Sequence, residues 1–328
     1  MPKKTSTVFY KKLLMDAGKR VWQQKSLWMF GLLTALVSTG GVFDVLARSA
    51  QRVQRGPKFL QSVLDGSFAG YDLFIQYVSQ LKHLDPTRVT ITSAILIIVF
   101  IILLVAAVVA QGALIQQLLS KKPLAIWDSV RKGSSDFFRL LSIDILTKAS
   151  TLLLVFLMTA MLITLMSQTN EWNFVLYAVL FLLFFPAILV INIISIFAQI
   201  NTVREKTHVL DAIHAGTNIF RKNIMVALEL GLILFLVIFL AWTLGAVFVL
   251  ILSIPYTLIS ALALLSTNLV LFSLTNLLGV IFFTGMIFAI VGATVAYEYA
   301  AWVDLYTRAN SPRPLKAVLR ALRFFNRR

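Results

Sequence analysis

Apolar positions dominate six long intervals of this chain, near 27–47, 91–119, 141–167, 173–200, 224–253 and 274–305. A helix needs about 20 such residues to cross the hydrocarbon of a bilayer, so each interval predicts a transmembrane helix. A further apolar stretch, 255–273, is open to three readings: a seventh span, a re-entrant hairpin or an interfacial segment. The polar connections between the intervals are either rich in Lys and Arg or nearly empty of them. With six spans and both termini inside, the inner segments carry most of the 30 basic residues. A seventh span would place the basic tail outside, against the positive-inside bias.

The pattern predicts an all-α fold: a polytopic α-helical membrane protein forming one membrane domain over 1–328. Residues 1–26 read as a cytosolic amphipathic helix, followed by spans at 27–47, 91–119, 141–167, 173–200, 224–253 and 274–305. The outer loop covers 48–90, interfacial helices occupy 121–140 and 201–223, an outer or re-entrant segment covers 254–273, and 306–328 is a basic cytosolic tail. The basic region before the first span is long and no small-x-small site follows it, so that span is expected to be retained rather than cleaved. The outer loop holds six basic residues, among them Arg48, Arg52 and Lys82, beside a helix-like apolar pattern at Phe59, Leu60, Val63 and Leu64. It reads as an amphipathic hairpin on the outer interface or as a ligand-binding cap.

Two inner segments align at an offset of 83 residues. Ile126-Trp127-Asp128-Ser129-Val130-Arg131-Lys132-Gly133-Ser134 matches Val209-Leu210-Asp211-Ala212-Ile213-His214-Ala215-Gly216-Thr217. Each carries an apolar face at helical spacing opposite Asp and basic residues, which predicts paired interfacial helices within an internal two-fold repeat. Asp128 and Asp211 are placed to cap or to pair with a basic neighbour, and Gly133 and Gly216 to turn the chain toward the bilayer. In the tail, Lys316, Arg320, Arg323 and Arg327 oppose an apolar stripe and are candidate contacts to anionic lipid.

A basic helix ending in Gln23-Gln24-Lys25-Ser26-Leu27-Trp28-Met29-Phe30-Gly31 precedes an outer loop and two copies of span, interfacial helix and span. In this order the chain resembles a loose class of six-helix bacterial membrane proteins. It is similar to the membrane domain fused to some glycerophosphodiester phosphodiesterases and to related inner-membrane families. The resemblance implies a prokaryotic plasma membrane. It does not carry over the phosphodiesterase activity, whose domain is lacking.

Composition adds one exclusion and charge another. With 59% hydrophobic residues and mean hydropathy +0.86, the chain carries more apolar surface than a water-soluble core hides. The net charge of +16 is accounted for by topology, with no nucleic-acid-binding motif beside it. Cysteine is absent, which removes disulfides and thiolate chemistry. His83, His208 and His214 lack the spacing of a metal site, and neither a catalytic motif nor a cofactor motif occurs.

Ionisable residues within spans are costly in lipid and usually face protein or water. Asp144 and Lys148, Glu229 and Glu298, with Asn192 deeper, are candidates for a cytosol-facing polar cavity; the bland alternative is that they snorkel or staple helices. Gly285, Ala289 and Ala293 form one small-residue ridge and Gly292, Ala296 and Ala300 another. Pro186 removes a backbone donor from the fourth span. Two function classes follow. One is an accessory or scaffolding membrane component acting on lipids or partner proteins; the other is a transporter or permease subunit coupled to a cytosolic ATPase. No enzymatic role is expected. The expected location is the cell inner membrane, multi-pass.

Overall fold

The structure, a computed structural model, describes residues 4–38, 86–120, 123–166, 173–266 and 268–309. They form nine helices, and there is no strand among the described residues: α1 Lys4–Gln23, α2 Ser26–Ser38, α3 Pro86–Leu119, α4 Ile126–Ser135, α5 Phe137–Met166, α6 Asn173–Glu205, α7 Val209–Lys222, α8 Ile224–Leu265 and α9 Leu269–Ala309. Five of them contain segments long and apolar enough to cross a membrane: Val89–Leu119, Phe137–Met158, Leu182–Glu205, Ile224–Leu265 and Leu269–Ala309. The protein is a helical membrane protein. The shorter apolar helix Ser26–Val37 covers the beginning of the first expected span, whose remainder lies outside the described residues. Most of the outer loop and the tail positions Lys316, Arg320, Arg323 and Arg327 lie outside them as well.

The chain divides into two compact units whose boundaries fall within α2, α3, α5 and α6. The first takes Met1–Ala35, Ala107–Leu141 and Ile193–Arg328; the second takes Leu36–Ala106 and Ser142–Asn192. In the second, large side chains such as Leu96, Phe100, Leu152, Phe156 and Leu182 are exposed, as expected of surfaces solvated by lipid. Pro186 sits inside α6 without ending it.

The first unit holds a long helical hairpin. The segment 254–273, expected as an outer or re-entrant segment, is helical in α8 up to Leu265 and in α9 from Leu269. α8 passes through Pro255 and spans 42 residues, about 63 Å at 1.5 Å per residue, against about 30 Å of hydrocarbon. Proline removes one hydrogen bond, but an apolar environment offers the backbone no alternative partner, so the helix continues. α9 begins where a side chain substitutes for the missing helical bonds: Asn268 Oδ1 accepts from the N–H groups of Val270 and Leu271 at 3.1 and 3.2 Å.

One polar clasp joins the two arms near the tip. The Tyr256 hydroxyl donates to Asn276 Oδ1 at 3.0 Å, and Asn276 Nδ2 donates back to the Phe272 carbonyl at 3.0 Å. Gly279 makes room for the clasp, since a Cβ there would fall 2.1 Å from the Tyr256 ring.

Of the two predicted small-residue ridges, one is a packing surface. A Cβ on Gly31 would meet the Gly292 carbonyl oxygen at 2.2 Å, and a Cβ on Gly292 would meet the Trp28 carbonyl oxygen at 2.2 Å. The α2 and α9 backbones are therefore in direct contact, and Ala296 and Ala300 are buried on the same ridge. Gly285, on the other ridge, faces open space.

Candidate functional site

The α1 helix is amphipathic, with Leu13, Ala17 and Val21 buried at helical spacing and Lys11, Lys12 and Lys19 exposed. Burial of that stripe carries Arg20 to the end of α3. There its guanidinium donates to the carbonyls of Gln117 at 3.0 Å and Ser120 at 2.7 Å. The last carbonyls of a helix lack partners within it and carry its negative dipole end, so a cation satisfies both needs. Gln117 in turn donates to Ser26 Oγ at 2.9 Å, tying the start of α2 to the same place. One turn before Arg20 on α1, Asp16 pairs with Arg308 of α9 at 3.3 Å, and Arg308 also approaches Asp304 at 3.8 Å.

Behind this clamp lies a chain of buried polar groups. Gln111 of α3 donates to the Tyr299 hydroxyl at 2.9 Å, Tyr299 donates to Gln199 Oε1 of α6 at 3.3 Å, and Gln199 donates to Ser195 at 3.4 Å. Two turns along α9, Tyr306 donates to Asn201 at 2.7 Å and Asn201 to Thr207 at 3.2 Å. In a low-dielectric core such bonds fix which helix faces meet, because a mismatch would leave donors and acceptors unpaired. Next to this layer α6 ends at Lys206, whose φ of 54° and bond to the Thr202 carbonyl make a left-handed helix terminus.

The two aligned segments are helices, α4 and α7, and share local geometry. Their N-cap residues Ala125 and His208 both adopt extended backbone (φ −61°, ψ 148° and φ −67°, ψ 159°) and accept from the N–H of Ser129 and Ala212. Both bury small residues: Ser129 and Gly133 on α4, Ala212 and Gly216 on α7. A Cβ on Gly133 would meet Ala113 N at 2.5 Å and Val109 O at 2.6 Å on α3. One on Gly216 would meet Ala198 N and Ile194 O, both at 2.9 Å, on α6. Each helix thus docks through its glycine on the backbone of the helix before it.

Trp127 and Leu210, by contrast, point away, 82% and 69% exposed, while Phe220 near the end of α7 is buried. Asp128 and Asp211 lie exposed in the first turns, where a negative charge suits the helix dipole, and make no ion pair among the described residues. Basic residues end the segments: Arg131 and Lys132 on α4, Arg221 and Lys222 on α7, all exposed. Asp136, between α4 and α5, is buried against Arg139 at 3.2 Å; burial raises its pKa, opposed by Arg139, Lys206 and a bond from Gln116.

The residues expected to line a polar cavity are divided between the units. Asp144, Lys148 and Asn192 belong to the second, Glu229 and Glu298 to the first. Asp144 is buried and Lys148 exposed. Asn192 donates to the Ile188 carbonyl of its own helix at 2.8 Å. Glu229 is exposed and accepts from the Tyr10 hydroxyl at 2.5 Å, while Glu298 lies half-buried on α9 within reach of the Trp302 indole. The Arg20 clamp and the Tyr299 chain were not foreseen from sequence, because each joins residues about a hundred or more positions apart. The chain matches no known family model, no curated protein and no solved structure.

Proposed function

We propose that this protein is an accessory, scaffolding component of a prokaryotic plasma membrane. In this reading both termini are cytosolic, and the cytosolic face presents lipids or partner proteins with α4 and α7. The observation that carries the reading is the way these two helices are turned. A helix folded only for internal packing hides its tryptophan; α4 buries Ser129 and Gly133 and exposes Ile126 and Trp127 beside Arg131 and Lys132. An exposed indole flanked by cations suits the headgroup layer of an anionic cytosolic leaflet, where rings take the interface and cations the phosphates. The six-span topology places these helices on the same side as the basic N-terminal helix, in keeping with the positive-inside bias.

The units α3–α4–α5 and α6–α7–α8 are, in the same proposal, two copies of one repeat. In support, the N-caps, first hydrogen bonds and buried small residues of α4 and α7 correspond at a constant offset. The likeness to six-helix bacterial inner-membrane proteins supports the same arrangement. A transport role has one observation in its favour, the buried chain from Gln111 to Ser195, which a carrier would hydrate and break during opening.

The test is a double substitution, Trp127→Ser with Leu210→Ser. Both side chains are exposed, so the purified variant should melt within about 2 °C of the parent, as surface changes do. It should nevertheless retain fewer phospholipids per chain by phosphate analysis. A folded variant with unchanged retained lipid would refute the working-surface reading.

A further inference from the structure

The break between α1 and α2 assembles a small cluster that the packing of the first unit does not use. Gln24 and Lys25 interrupt the helix, and this turn brings together the rings of Trp22 and Trp28, whose centroids lie 5.7 Å apart at an interplanar angle of 58°. The Lys25 ammonium sits between them, 3.7 Å from the Trp22 centroid and 4.0 Å from that of Trp28. One wall is fixed, because the Trp28 indole N–H donates to the Val21 carbonyl at 2.9 Å. The other is open: Trp22 is 69% exposed.

A lysine side chain ordinarily wanders in water. Here two aromatic faces hold its charge in place by the attraction of a cation for the ring quadrupole. The ammonium makes no ion pair among the described residues, although it carries three N–H donors. Its neighbour Arg20 is committed to the α3 carbonyls, so the two cations differ in availability. The position along the chain adds the second half of the argument. Lys25 lies where the basic amphipathic helix gives way to the apolar Ser26–Val37, the place at which a chain entering a bilayer passes the headgroups.

We propose that Trp22, Lys25 and Trp28 form a binding site for the phosphodiester of a cytosolic-leaflet phospholipid. Lys25 holds the phosphate, and the two indoles both hold Lys25 and rest against the glycerol and upper acyl region. The site rests on the membrane placement proposed above for the cytosolic face. It differs from a diffuse basic surface in requiring the rings as well as the charge.

The experiment uses the full chain in detergent micelles, titrated with phosphatidylglycerol and followed by native mass spectrometry. Lys25→Ala is expected to weaken the tightest binding about tenfold. Trp22→Ala, which leaves the charge in place, should weaken it about threefold or more. Lys12→Ala, an equal loss of charge on α1 outside the cluster, should change it less than twofold. Equal effects of Lys12→Ala and Lys25→Ala, or wild-type binding by Trp22→Ala, would overturn the proposal. So would displacement of the lipid by millimolar inorganic phosphate, which would identify a free-anion site. Trp28 is left intact because its backbone carbonyl abuts Gly292 and its indole N–H is bonded to the Val21 carbonyl. Failure here leaves the Trp127 and Leu210 experiment untouched, while failure of that experiment with normal lipid binding at Lys25 would remove only the broader reading.

Discussion

Replacing Gly292 by alanine isolates the contact between α2 and α9. The new Cβ would sit 2.2 Å from the Trp28 carbonyl oxygen and 3.1 Å from its carbon, whereas ordinary van der Waals contact begins near 3.4 Å. Both partners are backbone, so no side-chain rotation relieves the clash and the helices must separate by about 1 Å along the ridge that includes Ala296 and Ala300. Overpacking of this kind costs about 1–3 kcal/mol. Alanine also gains up to about 1 kcal/mol over glycine in helix propensity, which would mask part of the loss. Gly285→Ala supplies the control, because it makes the same exchange on the same helix into open space. The difference between the two variants should be about 1–3 kcal/mol, or roughly 2–10 °C in melting temperature in detergent. Equal melting temperatures would refute the close contact and with it the packing of the first unit.

Three further outcomes follow from the geometry. Arg20→Met keeps an unbranched apolar stem but strands the Gln117 and Ser120 carbonyls; it should destabilise by about 2 kcal/mol in chemical denaturation, and an unchanged midpoint would show that the clamp does not hold α1. Asp136 has a pKa raised by burial, so the folded state holds its proton more tightly than the unfolded state; stability from this group is present below the ordinary carboxylate range and is lost as pH rises through the folded value. Asp136→Asn should therefore flatten the decline of melting temperature from about pH 4 upward, and an identical slope in the variant would sink the assignment. Gly279→Val should force Tyr256 off Asn276 and loosen the hairpin tip, read as faster amide exchange of residues 256–266; unchanged exchange would argue against the clasp.

The apolar intervals made the helices legible, because a span must satisfy its own backbone and so announces itself by length alone. Their ends were less so. The α8–α9 hairpin extends past both expected span boundaries, with α8 continuing through Pro255 to Leu265. The offset match at Asp128 and Asp211 located α4 and α7 correctly as helices. The face by which they pack lay in the small residues at spacing four, Ser129 with Gly133 and Ala212 with Gly216, a signal present in the sequence but outweighed there by the apolar stripe. Of the two small-residue ridges on α9, nothing local distinguished Gly292 from Gly285; the difference is the arrival of Gly31 from 261 positions away. For the same reason Arg20 reads in sequence as one more topogenic cation, and only its distance to the α3 carbonyls separates it from Lys19. The polar residues proposed for a cavity were identified by cost in lipid, which says that each needs a partner but not which one. Glu229 finds Tyr10, a residue whose hydroxyl carries no sequence signal.

The proposed function requires α4 and α7 to lie in the cytosolic headgroup layer, and the chain, free of native cysteine, allows this to be measured directly. Single cysteines at Trp127 and Leu210, spin-labelled in reconstituted bilayers, should both report headgroup depth. Both should react with a membrane-impermeant thiol reagent only from the cytosolic side. Labels in bulk water, labels at unequal depth, or reaction from the outer side would contradict the account.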